Sequence, residues 1–492
     1  MIMMQWIPGT LELTSKVRYA LSSRGVPSFR FIPYNKNIPP FAVGYSGRDL
    51  SKNIYCLVEP DLISTPILGQ LQKAHLIQVL HKELDVLLWA YAYNSLKDLR
   101  KPFPFTPTLH TSPRTCVNEG FTFHIDPPGC KDVDDSFTFL KTESGWKIWI
   151  HIADVASWIS EDSPLDLNAF QRATSFYSLE GKALVSMLPS ILSEEKAPLN
   201  KNNPALSLSF VWTPGSLVKE FEWKETYIDT PITSFTYEQA QELVNTKEEL
   251  QALASLTSEL GGQFSDSHSW VEQLMILYNS QAGQVLRNKN LGVLRKHSPV
   301  KQEKLLALQE IIQIDPSLSI LAFESAQNCL ASDSNPSHFG LKQEFYAYAS
   351  SPLRRYTDLI NQRCLKHILF QIPLLHIPGE SVITHLNKRQ KQAKQFTRDL
   401  FFSTFLQKES CVKGIVLSDK VQVLVPAWKR IIKLKTPFKN ENENQNQDQD
   451  QDQNQNQDQD QDQNQNCTLQ WYCDPSKARW KERIVFAKLD EQ

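Results

Sequence analysis

The densest chemistry in the sequence is the segment FHIDPPGCKDVDD, which holds four carboxylates, Asp126, Asp132, Asp134 and Asp135. A strand-like run, FTFHID, ends at Asp126; Pro127-Pro128-Gly129 then forces a turn, and the other three carboxylates follow on the returning chain. Carboxylates crowded in this way repel one another unless a hard cation offsets them. Magnesium and manganese take oxygen ligands from carboxylate, water and phosphate, so the spacing predicts metal-assisted chemistry. A solvated acidic loop is the plain alternative for a DxDD run, and the turn argues against it. An EF-hand is excluded because Phe137 stands where that loop needs glycine. The strand patterns on either side also exclude the nearly all-helical proteins in which DxDD donates a proton.

Two other groups stand out less. In SSPLRRYTD, Arg354 and Arg355 follow a proline and precede Asp358, which on its own reads as a solvated helix start with a local ion pair. His151 and Asp154, in HIADVA, read as scaffold, since a histidine on a core strand is more often a satisfied core residue than a ligand.

These residues need elements to hold them. FTFHID, SFTFLK and WKIWIHIADV alternate with period two, Trp146, Ile148 and Ile150 facing one way and Lys147, Trp149 and His151 the other, as in the centre of a mixed sheet. Later the period becomes helical: Val271, Leu274, Met275, Tyr278, Ala282 and Val285 follow the capping candidates Ser265 and Asp266, and 380–408 reads as a long basic helix. Short β-like runs before a Pro- and Thr-rich stretch at 102–113, and alternation resuming after Ser410, predict small β units on both sides. The expected division is 1–112, 113–408 and 409–492, with an Asn/Gln/Asp/Glu tract at 440–466 that has no side chain able to build a core and reads as a disordered insertion.

The 492-residue length suits a catalytic domain with smaller satellites. No apolar run reaches the ~20 residues of a membrane span, and the start of the chain carries no secretory pattern, which together predict a cytoplasmic or nuclear setting and no membrane partner. The eight cysteines form no CxxC pair or zinc-like block and read as free thiols. A formal charge of −2 hides an uneven distribution: eight acids lie in the low-complexity tract, and −2 plus 8 leaves +6 on the remainder. That surplus is modest for a nucleic-acid binder, so the placement of Lys and Arg around the acidic cluster matters more.

From the aspartate cluster onward the chain resembles the ribonuclease II (RNB) family in a series of ordered blocks: WIHIADVASWI, SPLDLNAFQRATSFYSL, SMLPSILSEEKAPLN, GVLRKHSPVKQEKL, HFGL and YASSPLRRYTDLINQRCL. The resemblance implies an α+β catalytic core flanked by OB-like β-barrels, the N-terminal one similar to the cold-shock-like unit of exosome-associated relatives and the C-terminal one degenerate. It implies 3′-to-5′ hydrolysis of single-stranded RNA to 5′-nucleotides. By the same resemblance Asp126, Asp132, Asp134 and Asp135 hold magnesium, with manganese as a substitute; Asp134 and Arg354 are catalytic, Arg354 gripping phosphate; and Tyr177 and Tyr237 stack on or position the RNA. Arg355 stays structural. The implied partners are single-stranded RNA and an RNA-degradation complex, the chain otherwise being a monomer. Two competing readings are a catalytically silent RNA-binding relative and an acidic calcium-binding interaction protein; the intact aspartate set argues against the first, and Arg354 with the aromatic platform against the second.

Overall fold

The computed structural model describes residues 6–21, 24–61, 70–93, 109, 112–216, 218–406, 411–419, 421–433, 466–473 and 484–491. Most of the expected linker at 102–113, and the low-complexity tract up to 465, lie outside them. Asn466 already opens a strand. The chain divides into two units. One comprises Leu87–Ser298 and Ser325–Arg398; the other comprises Trp6–Val86, Pro299–Glu324 and Asp399–Gln492.

In the second unit, six strands come first: β1 (Ile7–Leu11), β2 (Ala20–Leu21), β3 (Pro27–Pro33), β4 (Phe41–Gly44), β5 (Ile54–Pro60) and β6 (Gln72–Leu80). Pairings run β1-β5-β6-β4-β3, and β1 also pairs with β3, so five strands close a barrel with β2 attached to its side. Closure demands close backbone approach. A side chain at Gly9 would lie 2.2 Å from the Ile32 carbonyl, so only glycine fits β1 at this point. Leu11, Phe29, Phe31, Val43, Cys56 and Val58 fill the interior.

The other unit is built on a seven-stranded sheet. Its strands are β7 (Thr115–Val117), β8 (Phe121–Ile125), β9 (Asp135–Thr142), β10 (Gly145–Ala153), β13 (Pro204–Trp212), β14 (Lys219–Ile228) and β15 (Ile232–Phe235) in the order β15-β8-β9-β10-β13-β14-β7. Two ribbons accompany it, β11 (Phe176–Tyr177) with β12 (Ala183–Val185), and β16 (Val293–Lys296) with β17 (Gln327–Leu330). Alternate residues of the central strands, among them Phe123, Phe137, Phe139, Ile148, Ile150, Leu206 and Leu208, form one apolar core with Leu253, Leu256, Trp270, Leu274 and Tyr278 from the helices Glu248–Glu259 and Ser267–Asn288. Asp266 caps the second helix, its carboxylate accepting from the His268 amide at 3.0 Å, as the sequence predicts.

The alternate positions of the same strands, joined by Thr230 from the bend between β14 and β15, carry a buried row of polar side chains. Thr230 Oγ1 lies 2.5 Å from Thr122 Oγ1, which lies 2.7 Å from Thr138 Oγ1, and that hydroxyl is 2.9 Å from His151 Nε2. His151 Nδ1 is 2.6 Å from Ser207 Oγ, itself 2.7 Å from Thr226 Oγ1. Burial lowers the His151 pKa to about 3, so the ring is neutral and supplies one donor and one acceptor. His151 is the satisfied core histidine expected from its strand.

The long basic helix runs Glu380–Phe405. Beyond it, β18 (Cys411–Val416), β19 (Gln422–Val425), β20 (Arg430–Lys433), β21 (Asn466–Cys473) and β22 (Ile484–Glu491) pair in the order β20-β19-β18-β21-β22 as an antiparallel half-barrel. Val416, Val423, Val425 and Leu469 pack on Phe402 and Leu406. A smaller cluster joins Leu417 and Leu424 to Ile311 and Leu318, which places 299–324 with this half-barrel.

Candidate active site

β8 brings the chain to Asp126, whose amide donates to the Phe235 carbonyl at 3.1 Å and so continues the parallel pairing of β8 with β15. The turn after it closes when the Cys130 amide donates to the Pro127 carbonyl at 3.1 Å, with Gly129 at a φ of +77° that an L side chain rarely adopts. The chain then returns through Asp132 and Asp134 into β9, which starts at Asp135. The turn read in the sequence is therefore the device that gathers the carboxylates. All four line one cleft of about 620 Å³, together with Tyr177, Tyr237, Leu353 and Arg354.

Each carboxylate has a distinct environment. Asp134 is 3% exposed; one oxygen accepts from the Leu353 amide at 2.9 Å and the other from Arg354 Nε at 3.0 Å. Burial pushes its pKa up to about 7 in spite of Arg354. Burial and the charges of Asp126 and Asp134 likewise hold Asp135 well above the ordinary carboxylate range. Asp132 accepts from the Tyr177 hydroxyl at 2.8 Å and from the Cys130 thiol at 3.5 Å. Asp126 Oδ2 lies 2.7 Å from His124 Nδ1. Cys130 itself is no nucleophile here: burial, then the charges of Asp126 and Asp132, raise its thiol pKa far above neutral.

The two arginines separate cleanly. Arg354 Nε donates to Asp134, while its side chain stays 44% exposed and its Nη2 donates to Ser351 Oγ at 3.1 Å. Arg355 turns the other way and pairs with Asp358 at 2.7 Å, the local helix-start pair that the sequence allows. Tyr177 sits on the β11–β12 ribbon at a register shift and turns its hydroxyl to Asp132. Tyr237 opens the helix Tyr237–Leu243, held there by a capping box between Thr236 and Gln239. One face of its ring is covered by His268, with centroids 3.9 Å apart and planes within 5°. Burial, with the charges of Asp135 and Asp126, pushes its pKa up to about 12.

The sequence reading passed over His124, although period-two alternation on β8 places it two residues before Asp126 on the same side of the strand. It also could not anticipate the Leu353 amide, a backbone donor that carries no residue signature. Asp154 and His151 lie away from the cleft lining. Asp154 accepts from Arg114 Nη2 at 2.6 Å and Lys366 Nζ at 2.7 Å, as part of a buried ion cluster with Glu225.

The donor set suits a hard divalent cation: it is all carboxylate oxygen, and its mutual repulsion lacks sufficient positive charge. Among the described residues, no group of three or more His, Cys, Asp or Glu side chains is drawn into metal-ligating geometry. That arrangement is compatible with magnesium, which commonly uses one or two carboxylates and completes its shell with water and substrate phosphate.

Residues 114–263 and 261–371 match the RNB domain family model, and this stretch covers over half of the chain. DIS3-like exonuclease 2 of Xenopus tropicalis is 25% identical over 439 residues, covering 67% of this chain and 52% of that protein. Ribonuclease R of Buchnera aphidicola is 25% identical over 363 residues, covering 56% of this chain and 49% of its own length. The chain thus spans about half the length of these curated relatives. Among solved structures, the apo form of Mycoplasma genitalium RNase R aligns over 98% of this chain and 89% of its own, with a TM-score of 0.72 and 17% identity. Yeast Ssd1, described as a pseudonuclease, aligns over 87% of this chain and 64% of its own, with a TM-score of 0.65 and 17% identity. Because the matched residues include the whole aspartate turn and the Leu353–Arg354 segment that closes on it, the chain belongs to the RNB domain family.

Proposed function

We propose that the chain is a divalent-metal-dependent 3′-to-5′ exoribonuclease that hydrolyses single-stranded RNA to 5′-nucleotides. The observation that carries this is the convergence of four carboxylates and a half-exposed arginine in one cleft, within the part of the chain that matches the RNB family. Relatives named ribonuclease R and DIS3-like exonuclease 2 point the same way, as do solved RNase R structures in complex with RNA. Asp126, Asp132, Asp134 and Asp135 would hold magnesium, or manganese in its place. When bound, such an ion polarises the phosphate and lowers the pKa of a water.

The chain's own residues do the rest. Arg354, anchored by Asp134 through Nε and by Ser351 through Nη2, keeps Nη1 for a phosphate oxygen, and a guanidinium suits that partner. Tyr177 and Tyr237, both in the cleft lining, would position the last nucleotides of the strand, and stacking on an aromatic face is indifferent to base identity. In this proposal the regions 1–112 and 409–492 guide RNA to the catalytic region 113–408. The protein works in the cytoplasm, alone or in an RNA-degradation complex of the kind named for an Arabidopsis thaliana exosome relative. No helix among the described residues is long and apolar enough to cross a membrane.

The test is a time course on 5′-labelled single-stranded RNA with and without magnesium. Stepwise shortening with release of mononucleotides, abolished by chelation, is the expected result. Binding without any shortening would instead support a catalytically silent relative, the reading that the fold likeness to Ssd1 keeps open.

A further inference from the structure

Beside the acidic cleft lies a second, smaller cavity of about 50 Å³, room for a few waters or one tetrahedral oxyanion. The wall between the two is a pair of extended segments: Thr174 bridges Arg355, and the Ser175 amide donates to the Arg354 carbonyl at 3.0 Å. Extended chain sends successive side chains to opposite sides. Ser175 and Arg354 accordingly line the acidic cleft, whereas Thr174 and Arg355 line the second cavity.

The polar residues of that lining are Thr174, Asn328, Tyr348, Arg355, Thr357 and Gln390; none is acidic. The two amide oxygens are spent, and the Thr174 hydroxyl donates to the Arg354 carbonyl at 3.1 Å. Arg295, 2% exposed, donates from Nη1 to Asn328 Oδ1 at 3.1 Å and to Gln390 Oε1 at 2.6 Å. Among the described residues no carboxylate pairs with Arg295, and both amides keep their NH₂ groups without another partner. Asn328 and Thr357 are 3% and 7% exposed, and the Thr357 hydroxyl has no hydrogen bond among the described residues. Arg355 Nε is a buried donor with none either. The Arg295 and Arg355 guanidiniums lie 4.4 and 4.1 Å from the Tyr348 ring centroid, so two cations crowd one ring while Asp358 pairs with only one of them. Burial, with the Arg295 charge second, lowers the pKa of the nearby Lys394.

We propose that this cavity is a phosphate-binding site distinct from the acidic cleft. A pocket that presents donors and uncompensated positive charge is completed best by an oxyanion, which offsets the charge as well as accepting the hydrogen bonds, whereas water does only the second. Two sources share this chemistry: a phosphodiester of an RNA strand and the phosphate of a free mononucleotide.

Binding is measured on the full chain in chelator, without turnover, using inorganic phosphate, adenosine 5′-monophosphate and a single-stranded oligoribonucleotide. Gln390→Glu places a carboxylate in the lining beside Arg295, which can pair with it, so the fold is expected to survive. It should weaken phosphate-dependent binding at least tenfold. Thr357→Val, which removes only the hydroxyl, should weaken it about threefold, and it supplies the answer if Gln390→Glu lowers the melting temperature. Loss confined to the oligoribonucleotide identifies a strand phosphodiester; loss for phosphate and the mononucleotide identifies a free phosphate. Unchanged affinity for all three ligands in both variants overturns the site. RNA degradation is assayed separately, so a failure of the proposed exonuclease activity leaves this result readable.

Discussion

Two buried aspartates beside the ends of neighbouring strands show opposite uses of the same side chain. The Ala153 amide donates to the Asp134 carbonyl at 2.9 Å, so Asp134 and Asp154 stand almost side by side at the end of the sheet, 3% and 0% exposed. Asp154 meets Arg114 and Lys366, and Glu225 makes the cluster two positive against two negative. Burial alone would raise its pKa, but the charges of Lys366 and Arg114 hold it at about 2. Asp134 has one half-exposed arginine and three carboxylates for company, and it sits at about 7. A scaffold site has its charge balanced by the chain, whereas a site for chemistry leaves part of the balance to a ligand.

Substituting the two should give different failures. Asp134→Asn keeps size and hydrogen bonding but removes one charge from the cleft, so turnover on single-stranded RNA should fall by several orders of magnitude while RNA affinity changes little, since affinity rests on Lys and Arg contacts and stacking. Degradation within tenfold of the parent, about 1.4 kcal/mol of barrier, would remove Asp134 from the mechanism. Asp154→Asn should act on stability instead: it leaves Arg114 and Lys366 short of an anion, at a cost of about 3 to 5 kcal/mol seen in thermal or urea unfolding. An unchanged melting temperature would break the contrast.

The pH profile sharpens it further. The Asp154 contribution is complete above its ordinary pKa of 3.8 and is lost as pH falls through about 2. Asp134 works in reverse: folded protein keeps a proton that the unfolded chain releases, so without metal stability should decline as pH rises from about 4 to about 7. Magnesium should therefore raise the melting temperature more at about pH 8 than at about pH 5. A stabilisation independent of pH would show that the ion does not relieve Asp134.

The smallest effect concerns Tyr177. Tyr177→Phe loses the 2.8 Å bond to Asp132 but keeps the ring, and should cost less than about tenfold in turnover. Tyr177→Ala also loses a stacking face worth about 1 to 3 kcal/mol per base, so the shortest RNA left behind should lengthen. Identical end products for both variants would assign Tyr177 to packing alone.

What could be read from sequence here was local. The Asp126 turn, the Asp266 cap and the Arg355–Asp358 pair all depend on residues a few positions apart, where geometry follows from chain connectivity. Closed contacts across the chain were hidden: Arg354 meets Asp134 from 220 positions away, and Lys366 meets Asp154 from 212. Tyr237 reaches the cleft only because β15 pairs in parallel with β8, a choice that no local pattern encodes. The packing of Ile311 and Leu318 on Leu417 and Leu424 was equally invisible, since an apolar helix face does not name its partner. Family resemblance supplied Arg354, where the residues alone favoured a solvated helix start.

The buried hydroxyl and imidazole row across the sheet also constrains how this sequence can change over time. Each inner member serves two neighbours, so replacing Thr138 with valine takes one partner from both Thr122 and His151 at once. A second change that makes a neighbour apolar can recover part of that loss, and the pair should cost less than the sum of its parts. Thr230 and Thr226, at the two ends, have fewer dependants and can be exchanged more freely. Evolution along this row should therefore proceed in adjacent steps, with drift entering from the ends and His151 among the last to go.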